Sequence, residues 1–246
     1  MGSLNIVGAM TLPLRKWNFI GGGSLVLAGL ASICAWLLRA PPEPEYSGKR
    51  LSVWAEELCK VSHLKSVIDT NYTAVQAMRA IGTNAIPWSL HELTMPPPLK
   101  WRLNQLLQKQ TFIRYRFPAA TDFERHHLRA RAVFWALGDV AEPAIPRLLS
   151  VVGKEPDLGP SALAGIGAPA LPALEYCLTN IPPAAASRQD AKVVASALGG
   201  LYVAIDVGRI SRSEASYLLP TVRKWQTNGE ARYWADGVLR EFIGEH

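Results

Sequence analysis

Between Ser161 and Leu178 the chain reads SALAGIGAPALPALEYCL. An Ala-rich apolar run ends at Ile166-Gly167, a short turn follows, and Ala170-Leu171-Pro172 opens a second apolar run. The same order recurs in AVQAMRAIGTNAIPWSLHEL from Ala74 and in RAVFWALGDVAEPAIPRLL from Arg131. A further stretch, AKVVASALGGL from Ala191, keeps only the first half. The glycines that close the first runs are Gly82, Gly138 and Gly167; the prolines that open the second runs are Pro87, Pro146 and Pro172.

Each feature has a physical reason. Gly after the last apolar residue accepts the left-handed backbone that ends a helix. Pro suits the first turn of the next helix, where its missing N–H costs nothing. Ala lets helices approach closely, while Leu, Ile and Val fill the space between them. One helical pair cannot bury its apolar face alone, so successive pairs must stack. The spacing predicts helices over 50–64, 72–81, 86–94, 99–111, 123–137, 143–152, 160–166, 170–179, 188–206, 211–227 and 229–243, with no strand. Ser211 ahead of Glu214 opens one late helix, and Asn228-Gly229 separates it from the last. The expected fold class is all-α: an α-solenoid of helical hairpins over 50–246, preceded by a single N-terminal transmembrane helix.

This pattern resembles the HEAT-repeat family, and within it the short HEAT-like repeats of bacterial proteins, over roughly Thr73 to Leu201. The layout, an apolar span, then Pro44-Glu45-Tyr46-Ser47-Gly48-Lys49, then degenerate repeats, is also similar to membrane-anchored bacterial HEAT proteins. The resemblance implies a scaffold that binds a protein partner; it names neither partner nor process. Three departures stand out. Gly82 and Gly138 are 56 residues apart, longer than one repeat. The gap from Gly138 to Pro146 is three residues longer than its counterparts. The stretch at Leu198-Gly199-Gly200 has no Ala-x-Pro after it, as expected of an atypical terminal repeat.

Ahead of the repeats, Trp17 to Leu38 is a run of 22 residues without a charge, WNFIGGGSLVLAGLASICAWLL. As a helix at about 1.5 Å per residue it matches the roughly 30 Å hydrocarbon core of a bilayer. Arg15, Lys16 and Arg39 flank it, and Trp17 and Trp36 fall at headgroup depth. Gly29-Leu30-Ala31 would serve as a signal-peptide exit, but the apolar run continues beyond it. Ile33 before Cys34 does not suit a lipoprotein signal. The expected organisation is a tail over 1–16, an anchor (or signal segment) over 17–38, a Pro-rich extended linker over 39–49, and the repeat body over 50–246. Basic residues near the span number two before it and three after it, so their count does not orient it. Because the span is the first and only one, a single-pass protein with its C-terminal body on the extracytoplasmic, periplasmic side is expected.

Composition narrows the function. With 49% apolar and 19% charged residues the chain is not a disordered polar one. Three Cys, at 34, 59 and 177, have no C-x-x-C spacing, which excludes a zinc knuckle or a disulfide-dense scaffold. The net charge of +6 is unevenly spread. Between Lys100 and Arg131 lie eight basic residues against Asp122 and Glu124, whereas 40–99 and 132–246 together hold 15 basic and 18 acidic ones. Aromatic residues are interleaved there. The candidate partner- or anion-binding residues are therefore Lys109, Arg114, Tyr115, Arg116, Arg125, Arg129 and Arg131. Such a stretch can serve as a solvated helical face, hold an acidic protein partner, or grip anionic lipid headgroups or another phosphate-bearing polymer; binding of nucleic acid is not expected.

Other motifs point away from catalysis. His126 and His127 point about 100° apart on a helix, and neither has a carboxylate or thiol three or four residues on. His91-Glu92 lacks the second His of a helical zinc protease. Gly165-Ile166-Gly167-Ala168-Pro169-Ala170 matches a dinucleotide fingerprint in letters only, since a helix precedes it and Pro169 removes a donor. Ser62-x-x-Lys65 stands without its companion motifs, and Glu56-Glu57 reads as a solvated pair. Asp206, within an apolar run, reads as a helix-end or hydrogen-bonded acid. Cys59 and Cys177 fall in distant repeats, too far apart to pair. Asn71-Tyr72-Thr73 is a glycosylation sequon only in a eukaryotic secretory setting. No catalytic, cofactor or metal residue is assigned. The expected function is a non-enzymatic, membrane-anchored scaffold; the alternatives are anionic-lipid or phosphate-polymer binding through 100–131, and a repeat domain assisting a chromophore-lyase-like enzyme.

Overall fold

Residues 42–60, 69–99, 102–103, 121–181 and 186–243 are described by a computed structural model of the protein. The helices among them are α1 (Leu51–Cys59), α2 (Thr73–Ile81), α3 (Ala85–Leu93), α4 (Thr121–Leu137), α5 (Ile145–Val152) and α6 (Gly159–Ile166). They continue with α7 (Leu171–Thr179), α8 (Arg188–Asp206), α9 (Arg212–Ala215), α10 (Leu219–Lys224) and α11 (Arg232–Ile243). Among the described residues the fold is all-α apart from one small hairpin. Two helices begin with full capping boxes, Ser187 with Asp190 and Ser211 with Glu214, each satisfying backbone donors that a helix start leaves free.

The turn glycines do more than the sequence alone suggests. Gly82 has φ 60° and ψ −139°, and Gly167 has φ 97° and ψ −147°. These are not the left-handed helical values but the mirror image of extended backbone, open in practice to glycine alone. Gly138 and Gly208 also have positive φ, 61° and 75°. After each of the first three glycines comes a 3₁₀ segment, and then a helix with Pro in its first turn. The extra length after Gly138 is absorbed in the seven-residue 3₁₀ stretch Gly138–Ala144, which contains Pro143.

The last hairpin departs from expectation in its second half only. α8 covers the predicted 188–206, with Leu198-Gly199-Gly200 inside it and a turn at Gly208 after it. The single helix predicted over 211–227 is broken into α9, a 3₁₀ turn at Ser216–Leu218, α10 and a second 3₁₀ turn at Trp225–Thr227. Pro220 accounts for the first break: lacking an N–H, it restarts a helix rather than continuing one. Leu219-Pro220 thus takes the place of the missing Ala-x-Pro.

Packing follows chain order. α1 packs on α4, α4 on α6, α6 on α8 and α8 on α11, while α3, α5, α7 and α10 pack against this row. The 3₁₀ turns touch in succession, 82–84 with 138–144 and 138–144 with 168–170. Small residues set the close approaches: a Cβ on Gly200 would come 2.7 Å from that of Ala164 on α6. Two tryptophans lock neighbouring elements. Trp135 Nε1 donates to Ser161 O at 3.1 Å, and the fully buried Trp225 donates to Leu178 O at 3.1 Å. Arg209 reaches back from the Gly208 turn and donates to Trp135 O at 2.6 Å, meeting a carbonyl that the end of α4 leaves free. A Cβ on Gly138 would lie 2.5 Å from its Nη1.

The segment expected as an extended spacer is partly built into this body. Residues 45–50 form a two-residue antiparallel hairpin, β1 (Glu45–Tyr46) and β2 (Lys49–Arg50), turned by Ser47 and Gly48 at φ 50° and 72°. That pair of positive φ values gives the hairpin turn its right-handed match to the strands. Glu43 accepts from the Ser52 N–H, Leu51 N donates to Pro44 O at 2.9 Å, and Trp54 Nε1 donates to Tyr46 O at 3.2 Å. Lys49 completes the lock with Glu57 at 3.1 Å and over the Trp54 ring at 4.3 Å. The apolar run 17–38 lies outside the described residues. Among the described residues no helix is long and apolar enough to cross a membrane.

Candidate functional site

Because α4, α6, α8 and α11 lie side by side, their shared face carries an open groove of about 330 Å³. That volume falls at the lower end of small-ligand clefts. Trp234 from α11 supplies its accessible aromatic surface, and Trp135 from α4 borders it but is only 2% exposed. Gly165 lets the Trp135 ring lie against α6, where a Cβ would come 2.7 Å from Cδ1. Gly199 does the same for Trp234 on α8, at 3.2 Å. Tyr233 meets Trp234 edge to face, with centroids 5.0 Å apart. The rest of the lining is small, Ser161, Ala195, Ser196 and the two glycines of α8. Ser196 Oγ donates to Asp157 O at 2.6 Å, fixing α8 against the turn before α6.

Charge is placed unevenly around this groove. Arg131 and Lys192 line it, with Asp157 as the one acid among the described residues. Lys192 and Asp157 are exposed; Arg131 is half-buried. Burial lowers the pKa of its guanidinium, and the Cys59 thiol nearby acts in the opposite sense. No ion pair forms at Arg131 among the described residues.

A second polar cluster lies between α3 and α4. Glu92 is buried at 7% side-chain exposure, and its Oε2 meets His126 Nδ1. Arg129 Nη2 donates to the same oxygen at 3.2 Å and passes 2.7 Å from the His126 ring nitrogen. With the proton on Nδ1 both side chains donate to the carboxylate, and the short Arg129–His126 approach is proximity only. His127, the next residue, is buried; its pKa is lowered first by burial and also by His126, while a hydrogen bond to the Met95 backbone and Glu92 oppose the shift. A buried carboxylate held by two donors is a clasp between helices.

The sequence-predicted candidates separate accordingly. Lys109, Arg114, Tyr115 and Arg116 lie outside the described residues. Arg125 is exposed on α4. Arg129 reaches from α4 onto Glu92, with 18% of its side chain exposed. Of the candidates among the described residues, Arg131 alone lines the groove. The His126 expectation also changes: the carboxylate missing at three or four residues along the helix comes from α3 instead. Only a hairpin packing, invisible to local spacing, brings Glu92 there. Trp135, Lys192 and Trp234 were not singled out by sequence; the glycines opposite the two rings, Gly165 and Gly199, were the available signal.

The remaining features fall into structural places. Asp206 is the last residue of α8 and exposed. Gly165–Ala170 is a helix end and a 3₁₀ turn, with no strand before it. Cys59 is exposed and Cys177 buried, its thiol pushed up to about 11 by that burial. Among the described residues no group of three or more His, Cys, Asp or Glu is placed to hold a metal ion. No protein-family model matches the chain, and no curated protein or solved structure matches it.

Proposed function

We propose that the chain is a non-enzymatic, membrane-anchored scaffold of HEAT-like helical hairpins, whose α-solenoid body binds a protein partner in the groove of α4, α6, α8 and α11. The observation that carries this reading is the groove itself, built from four helices far apart in sequence and lined by two tryptophans. Support for the stacked repeat comes from the turns at Gly82, Gly138 and Gly167, which touch in succession as stacked hairpins require. The apolar run 17–38 would hold this body at a bilayer, on the extracytoplasmic side.

A photo-crosslinking residue placed at Ala195 in the groove, compared with one at the exposed Arg147 on α5, tests the reading in intact cells. The expected result is a discrete adduct from position 195 alone, in the membrane fraction, with the body digested by protease added outside sealed cells stripped of their outer envelope. No adduct specific to position 195 would remove the groove as the binding site. Release of the body into the soluble fraction would remove the anchor.

A further inference from the structure

Resting on that groove reading, we propose that its occupant is an acidic peptide segment, with a carboxylate held by Arg131 and Lys192 and a neighbouring apolar side chain against Trp234. The first ground is charge complementarity. Arg131 is half-buried with no ion pair among the described residues, while Arg129 two positions earlier is paired through Nη2 with Glu92. A partly desolvated cation gains most from an incoming anion, because water screens it least. Lys192, exposed on α8, adds a second cation to the lining.

The second ground selects the anion. Asp157 lies in the same lining, so a dense double charge such as a phosphate monoester meets repulsion that a single carboxylate escapes more readily. The third ground is the apolar lining. The Trp234 indole and the small residues Ala195, Gly199 and Gly200 suit an aliphatic or aromatic side chain and leave room for a peptide backbone. The hydroxyl of Ser196 donates to Asp157 O and keeps its lone pairs for a backbone N–H.

The test uses the full chain in detergent micelles and a fluorescein-labelled peptide of alternating Glu and Leu, read by fluorescence anisotropy. Its Gln/Leu counterpart measures the charge, and short-chain phosphatidylglycerol serves as competitor. The Glu/Leu peptide should bind at least about tenfold tighter than Gln/Leu, the scale of a charge-assisted hydrogen bond. Arg131→Gln and Lys192→Gln should each weaken it, the first by about tenfold, and Ala195→Trp should block it by filling the groove. Lys192 is exposed, so its variant keeps the test valid if Arg131→Gln fails to fold. Equal binding of the two peptides, or unchanged binding in both charge variants, overturns the proposal. So does failure of the Glu/Leu peptide to bind while phosphatidylglycerol does. In each of these cases a position-195 adduct in cells leaves the scaffold reading standing; its absence takes both down.

Discussion

Arg129 and Arg131 sit two residues apart on α4, about 200° apart around its axis, and meet opposite environments. Arg129 faces α3, where the buried Glu92 carboxylate accepts from it and from His126. Arg131 faces the groove, half-buried and with no ion pair among the described residues. One arginine holds two helices together, and the other is left available. A count of basic residues treats them alike, so the charge of a stretch says little about which side chains can meet a partner.

That contrast can be sharpened by experiment. The largest effect is expected at Glu92. Arg129→Met alone leaves a buried carboxylate short of a partner and should destabilise the full chain by about 3–5 kcal/mol in chemical denaturation. Adding Glu92→Met should recover most of that loss, since an apolar pair can replace a buried ion pair at little cost. A double variant as unstable as the single one would show that the clasp does not explain the loss.

Next comes Gly138→Val, which forces a β-branched residue into φ 61° and drives its Cβ onto Arg209. A loss of about 1–3 kcal/mol is expected from the backbone alone, and it should exceed that of Gly153→Val, where nothing lies near the added Cβ. Smaller again is a pH effect on the Arg129 side. The folded pKa of His127 is held below the ordinary 6.5, so the unfolded chain binds more protons between those two values. Its contribution is present above about pH 6.5 and is lost as pH falls through that value toward the folded pKa. In His127→Gln the slope of stability against pH in that window should flatten; an unchanged slope would assign it elsewhere. Last, a maleimide at pH 8 should label exposed Cys59 and spare Cys177, whose thiol is pushed up to about 11, in wild type and in Arg131→Gln alike. Labelling of Cys177 in that variant would mean that Arg131 helps to hold the body closed.

Much of the helical layout is legible locally. Ala-rich runs, a closing glycine and a proline in the following first turn mark α2–α3, α4–α5 and α6–α7 because caps and first turns are short-range chemistry. The helix α8 is legible as well, over the expected 188–206. Gly199 and Gly200 inside it are small because Trp234 and α6 pass close by. The hairpin at 45–50 was missed since two-residue strands carry almost no periodicity, and only Ser47-Gly48 marks the turn. The groove was legible in one residue, Arg131. Its other parts come from helices up to about a hundred residues apart, and the Glu92 clasp spans 37 residues from Glu92 to Arg129. No local window contains such pairs.

The most direct measurement sets Arg129→Gln beside Arg131→Gln in the full chain, reading both unfolding midpoint and affinity for the Glu/Leu peptide. A crossed result is expected: the first variant loses stability, and the second keeps its midpoint but binds about tenfold more weakly. Parallel losses in the two variants, or a stability loss confined to Arg131→Gln, would contradict the division of α4 into a clasping side and a binding side.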